Sequence, residues 1–269
     1  MTKWKLQSLL LLQKKALQIF SVQLQFYMIM FLLGLFSVSS TGVLYAAETT
    51  DYSSLTEKTL EIASEEELIS FRDKVNSGSA FEGYSIYLTN DITLSKDWTE
   101  AIGNTKETPF KGYFDGQGHT ISGIHINREE NCPDDCSANK PYYTYSALFG
   151  IVKNGSIRDL ITEGNIHYIY HIPNKNSNYN YHYRYVAGVV GIIENGSLEG
   201  CSNRVGIVVQ GSQYTGGIAG LTEHTPITDC MNFGIIQEGR DSFEGVTYSG
   251  GYVGGICGDF NTNFNTKDI

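Results

Sequence analysis

The pattern of apolar and polar positions changes twice along this chain. An uncharged apolar run, FYMIMFLLGLFSV, covers Phe26 to Val38. It is short for a membrane span, which needs about 20 residues. Lys3, Lys5, Lys14 and Lys15 precede it, and small or neutral residues follow it as far as Ala46-Ala47. That order is the one of a secretory signal. It predicts a signal peptide over residues 1–46, with a retained signal-anchor as the alternative. Membrane contact is then expected only through this segment. Residues 47–63 are polar and aperiodic, and they read as a linker.

The period then becomes helical. Ser64-Glu65-Glu66-Glu67 has the form of a capping box, and three early acidic residues suit the helix dipole. Leu68, Phe71 and Val75 lie on one helical face. Asn76-Ser77-Gly78 supplies a stop. The spacing predicts a helix over residues 64–78, placed to cover the open end of a β-structure.

From residue 79 to residue 269 the pattern is that of short strands. Tyr84 to Leu94 alternates and is β-branched, as one strand would be. Two further strands are expected around Asp115-Gly116-Gln117-Gly118, a tight-turn signal. Beyond them the chain repeats itself. Gly150, Gly191, Gly220 and Gly258 close four similar segments, Ser146–Gly150, Ala187–Gly191, Gly216–Gly220 and Gly254–Gly258, at spacings of 41, 29 and 38 residues. A second motif ends at Leu160, Cys201 and Cys230, and it moves by the same 41 and 29. Two motifs stepping together predict stacked units, none of which can bury its apolar face alone. The expected fold class is all-β: a right-handed parallel β-helix or solenoid, with one N-terminal capping α-helix after the signal peptide. Unequal steps place insertions in turns, and Asn174–Asn180 reads as an exposed loop.

Composition supports this picture. Apolar residues make up 41% and charged residues 18%, so the chain can bury a core; 29 Gly and 18 Tyr against 5 Pro suit tight turns between strands. A net charge of −10 and the lack of a basic cluster beyond the N-terminus argue against a nucleic-acid partner. Loss of residues 1–46 removes four Lys and no acid, so the exported chain is more acidic still.

The run from Phe110 to Ile124, FKGYFDGQGHTISGI, together with Leu148-Phe149-Gly150 and the Gly-Gly-Ile-x-Gly units, resembles the GLUG-repeat proteins of bacterial surfaces. The resemblance spans roughly residues 64–258. It implies a β-helical stalk or adhesin-like region, of the kind also found ahead of the catalytic domain in some immunoglobulin A metallopeptidases. A zinc peptidase of that type needs His-Glu-x-x-His, and none of the six His residues begins that motif. The chain stops eleven residues after Gly258, which raises the expectation of a C-terminally truncated product or a fragment of a larger surface protein.

The candidate contact residues are Tyr179, Tyr181, Tyr183 and Tyr185, which alternate at strand spacing and so share one face. Tyr142, Tyr143 and Tyr145 form a second such group. Such faces stack sugars or anchor proteins; an aromatic ladder covering the flank is the structural alternative. Cys132 and Cys136 are candidates for a small disulfide, with free thiols or metal binding as alternatives. Cys201 and Cys230 occupy equivalent repeat positions and read as inward apolar groups, as does Cys257. Asp115 and His119 flank a Gly turn that reads as structural rather than catalytic. No catalytic residue, metal or cofactor is expected. The resulting expectation is a secreted or surface, non-catalytic module whose partners are host or cell-surface glycans or proteins. The rival is a polysaccharide-active β-helix enzyme.

Overall fold

A computed structural model describes residues 58–131, 141–171, 182–239, 241–243, 246–248 and 251–261. The chain divides into a unit of residues 1–54 and a unit of residues 55–269, and all described residues belong to the second. The predicted signal peptide therefore lies outside the described residues. Among the described residues no helix is long and apolar enough to cross a membrane.

Strand β1 (Thr59–Ile62) leads into helix α1 (Glu65–Asn76), followed by β2 (Ser85–Leu88), β3 (Ile92–Thr93), β4 (Tyr113–Asp115) and β5 (Thr120–Asn131). One repeat holds β6 (Tyr142–Ser146), β7 (Phe149–Lys153), β8 (Ser156–Arg158) and β9 (Ile161–His171). The next holds β10 (His182–Ala187), β11 (Val190–Glu194), β12 (Ser197–Glu199) and β13 (Ser202–Gln210). A third holds β14 (Tyr214–Gly216), β15 (Ala219–Glu223), β16 (Ile227–Thr228), β17 (Met231–Asn232) and β18 (Ile236–Gly239). The short strands β19 (Asp241–Phe243) and β20 (Val246–Tyr248) precede β21 (Tyr252–Gly254) and β22 (Cys257–Asn261).

The protein is thus mostly β with one described helix, and its four large sheets are parallel. Three of those sheets take one strand from each repeat they include, and the fourth takes two from the third repeat. Their orders are β1-β2-β4-β8-β12-β16, β6-β10-β14-β21, β7-β11-β15-β22 and β3-β5-β9-β13-β17, with β18 also paired to β13. Among the described strands only β19 and β20 pair antiparallel. The register reproduces the sequence steps: Phe149 pairs with Val190, Val190 with Ala219, and Ala219 with Cys257.

In-register pairing puts like side chains beside like. Ile86, Phe114, Ile157 and Leu198 follow one another across the first sheet, all 0% exposed. Ile166 and Ile207 do so across another. The closing glycines form a ladder of their own. A methyl on Gly150 would lie 2.5 Å from the Gly103 carbonyl oxygen, one on Gly191 2.9 Å from that of Gly150, and those on Gly220 and Gly258 2.6 Å from their own neighbours' oxygens. The repeated Gly is set here by the closeness of the next strand, because a real Cβ does not approach a carbonyl oxygen that closely.

Two left-handed corners recur with the same steps. Asn154, Asn195 and His224 have φ of 52, 51 and 48°, and Asp159, Gly200 and Asp229 have φ of 47, 63 and 53°. Asn and Asp tolerate this conformation better than most residues. His224 is the costlier member.

Helix α1 starts at N-cap Ser64, whose hydroxyl accepts from the Glu67 N–H at 3.3 Å. Glu67 reaches one residue further back than a standard capping box and accepts from the Ala63 N–H at 2.7 Å. Leu68, Phe71 and Val75 are buried, and Phe71 meets Phe81, Phe110 and Phe114 at ring-centroid distances of 5.0, 5.6 and 6.1 Å. Asn76 fastens the far end of the helix by donating to the Ala101 carbonyl and accepting from the Gly103 N–H.

Two expectations are corrected. The linker expected over residues 47–63 ends earlier: Thr59–Ile62 is β1, which pairs in parallel with β2, because Leu60 and Ile62 pack on the core. The single strand expected from Tyr84 to Leu94 is two strands. The chain turns at Thr89-Asn90-Asp91 from one sheet to another, and Asn and Asp suit that corner.

The glycine ladder gives a direct test. Gly150→Ala is expected to cost about 1–3 kcal/mol in urea unfolding, the range for forcing a methyl into close-packed surroundings. Gly255→Ala, where an added Cβ meets nothing within 4 Å, is expected to stay within about 0.5 kcal/mol of the parent.

Candidate functional site

The most ordered surface feature grows out of the glycine ladder. Tyr145, Tyr185, Tyr214 and Tyr252 pair in register across β6, β10, β14 and β21. Their rings stack nearly parallel, at centroid distances of 5.4, 5.2 and 5.5 Å and interplanar angles of 9, 12 and 8°. A second stack, two residues away on the same face, joins Tyr143 to Tyr183 at 4.9 Å and 10°. The Lys106 ammonium sits 3.9 Å from the centre of the Tyr143 ring, a cation–π contact. A methyl on Gly191 would lie 3.0 Å from a Tyr145 ring carbon and 3.4 Å from the Tyr185 Cβ. The missing side chains of the glycine ladder therefore make room for the tyrosines.

The ladder is graded in exposure. Tyr145 and Tyr185 are 5% and 6% exposed, closed in with Ala101, Ile151, Ile192 and Leu221. Tyr143, Tyr183 and Tyr214 are half-buried. Tyr142 and Tyr252 are 43% and 58% exposed. Burial raises the hydroxyl pKa values of Tyr145, Tyr185 and Tyr214 and keeps these groups protonated. Ring faces are spent on neighbouring rings, so most of the surface offers edges and hydroxyls.

Tyr183 lies on the half-buried stack and Tyr185 inside the buried one. Tyr185 is not a surface contact residue, because its register drops it into the crease with Ile192. Tyr179 and Tyr181 lie outside the described residues, as do Cys132, Cys136 and the expected loop Asn174–Asn180. Tyr214 and Tyr252 escaped sequence reasoning. Tyr214 follows Tyr185 by 29 residues and Tyr252 follows Tyr214 by 38, the steps the glycines take, and that signal was available.

Behind this face lies a buried polar group between β5, β6, β9 and β10. The His182 side chain is 0% exposed; its Nε2 is 3.2 Å from Thr144 Oγ1 and 3.6 Å from a Glu130 carboxylate oxygen. Glu130 accepts from the Tyr168 hydroxyl, and Arg184 donates to the carbonyls of Gly211 and His182 while lying 4.3 Å over the Tyr170 ring. The pKa of His182 is pushed down to about 3, first by burial and then by Arg184 and Arg128. A neutral imidazole enclosed in this way holds structure together.

A shallow cleft of about 540 Å³ is lined by Asp115, Gln117, Gly118, Arg158, Asp159 and Ser202, among others. Its acid is already committed. Asp115 is 3% exposed and accepts from Arg158 at 2.6 and 3.0 Å, while Arg158 also lies over Tyr113. His119 pairs instead with Asp91 at 3.2 Å, so Asp115 and His119 do not act as a pair. Among the described residues no three His, Cys, Asp or Glu side chains gather as metal ligands would. Cys201 and Cys257 are buried, and Cys230 is half-buried against the same core.

No family model and no curated protein matches this chain. Among solved structures it is similar to a Bacteroides ovatus protein provisionally named an immunoglobulin A1 protease, at 15% identity and a TM-score of 0.39. The match covers 76% of this chain and 62% of that one, so this chain spans less than two thirds of that protein's length. A likeness this remote carries nothing about activity.

His182 predicts a pH dependence with a definite sign. Unfolded, it takes up a proton near its ordinary value of 6.5; folded, it does so only near 3. Between those values the unfolded state binds the extra proton, so stability falls as pH drops, by up to about 1.4 kcal/mol per pH unit from this group. Urea midpoints at pH 7, 6, 5 and 4 are expected to fall less steeply in His182→Gln than in the parent; equal slopes would assign the loss to other groups.

Proposed function

We propose that the parallel sheets wind as a right-handed β-solenoid in an exported or cell-surface protein, and that this solenoid works as a non-catalytic stalk or adhesin-like contact module. The supporting observation is the tyrosine face, held in fixed register over four neighbouring strands. The common 41- and 29-residue steps and the one-strand-per-repeat sheets support the winding. The Lys-rich, apolar, small-residue N-terminus supports export. The commitment of Asp115 to Arg158 leaves the cleft around it with no unpaired buried carboxylate to act as a base.

The face suits a protein partner better than a stacked sugar. Sugar stacking needs an open ring face, and Tyr185 and Tyr214 have both of theirs against neighbouring rings while Tyr143 lies between Tyr183 and Lys106. Tyrosine edges and hydroxyls, flanked by Lys106, fit a polar protein surface; tyrosine is enriched at such contacts for its rigid, amphipathic area.

Biotinylated full-length protein, applied to arrays of extracellular proteins and of glycans, tests this reading. Binding to a protein spot is expected, with at least a tenfold loss in the double variant Tyr143→Ala/Tyr183→Ala and an unchanged far-UV spectrum. Unaltered binding in that variant would move the contact elsewhere. Release of unsaturated products from pectin or glycosaminoglycans would instead establish the enzyme.

A further inference from the structure

Cys201 and Cys230 stand side by side in neighbouring repeats. Their positions are fixed from both sides, since the Gly200 N–H donates to the Thr228 carbonyl at 3.0 Å and the Met231 N–H to the Cys201 carbonyl at 2.9 Å. Ser202 pairs with Met231 in the same register. Adjacent strands lie about 4.8 Å apart, inside the Cα separation of about 4.4–6.8 Å that a disulfide spans. The register thus sets the two side chains at the same height on adjacent strands.

The pair is asymmetric in a useful way. Cys201 is 0% exposed and its thiol also approaches the carbonyls of Ile157 and Glu199, at 3.7 and 3.5 Å. Cys230 is half-exposed. The interaction between the two thiols lowers the Cys230 pKa and raises that of Cys201, so Cys230 is the more readily deprotonated and the more reagent-accessible of the two. Neither neighbouring position competes. The preceding repeat carries Leu160 at this place, and Cys257 belongs to another sheet, paired with Ala219 and donating to the Asp259 carbonyl.

We propose that Cys201 and Cys230 form a disulfide joining two neighbouring repeats when the protein meets a disulfide oxidant. The proposal goes beyond the contact function and needs export only to bring that oxidant to the protein. With glutathione disulfide, the Cys230 thiolate attacks one sulfur and releases one glutathione thiolate, leaving a mixed disulfide. Cys201, losing its proton, then attacks the Cys230 sulfur and releases the second glutathione. Two S–H bonds are replaced by one S–S bond, two protons leave, and the two electrons reduce glutathione disulfide to two thiols. The link closes a loop spanning a whole repeat, so it restricts the unfolded chain.

The test uses the full chain carrying Cys132→Ser and Cys136→Ser, so that only Cys201, Cys230 and Cys257 remain. The protein is incubated with glutathione disulfide, quenched in acid, alkylated in urea and digested with trypsin without reductant. The expected product is the peptide Tyr185–Arg204 joined to Val205–Arg240, separating on reduction. The oxidised form is also expected to melt about 5–10 °C above the reduced form, with no such difference in Cys230→Ser, where the exchanged side chain is half-exposed and folding is retained. Recovery of both cysteines alkylated, of glutathione left on Cys230, or of Cys201 joined to Cys257 would overturn the proposal. A linked pair in a chain that never leaves the cytoplasm would overturn export and leave the pair standing.

Discussion

Parallel strands about 4.8 Å apart, paired in register apart from one shift between β5 and β9 at Ile121–Ile124, impose a rule on nearly every position: whatever one repeat places at a site must tolerate a copy of itself next door. In this protein the rule is strictest where the backbones come closest. Gly103, Gly150, Gly191, Gly220 and Gly258 sit where a methyl would run into a neighbouring carbonyl oxygen. Their absent side chains open the space that Tyr145, Tyr185 and Tyr214 fill. The exposed tyrosine face is thus a by-product of backbone contact one layer below it. The same pairing explains the branched apolar stacks and the cysteine pair, which differ only in the side chain repeated.

Polar groups meet the rule by bonding along the direction of stacking. Asn203 donates to Asn232 in the next repeat and to the Val205 carbonyl in its own, while its oxygen accepts from Thr162 and from the Val205 N–H. A buried amide with each of its hydrogen-bonding groups occupied carries little penalty. His182 is only half satisfied: its Nε2 meets Thr144 Oγ1, while its buried Nδ1 has no hydrogen-bond partner among the described residues. It occurs in one repeat only, opposite Tyr142 and beside Thr144, and it avoids the penalty of a buried charge by staying neutral. Stability therefore draws on two kinds of polar interior, one indifferent to pH and one sensitive to acid.

Much of this was legible in the chain. The capping box, the Leu68, Phe71 and Val75 stripe and the Gly steps all depend on neighbours a few residues away or on exact repetition, and both kinds of signal survive in one dimension. Tyr185 was misjudged because alternation tells which residues share a face of a strand, not what lies against that face. The crease formed with Ile151, Ile192 and Leu221 brings together strands from different parts of three repeats. Asp115 and His119, neighbours in sequence, were separated by partners 43 and 28 residues away.

By itself the sequence determined a β-rich chain with a helix near Glu65–Asn76, the spacing of its repeats and the positions of its glycines, because these follow from local period and self-similarity. Only the tertiary structure decided which tyrosines are buried and which exposed, and that Asp115 is held by Arg158. It also set Cys201 and Cys230 beside one another on adjacent strands. Each of these depends on the distance between residues far apart in the chain, which the register of parallel strands sets and which no local pattern records.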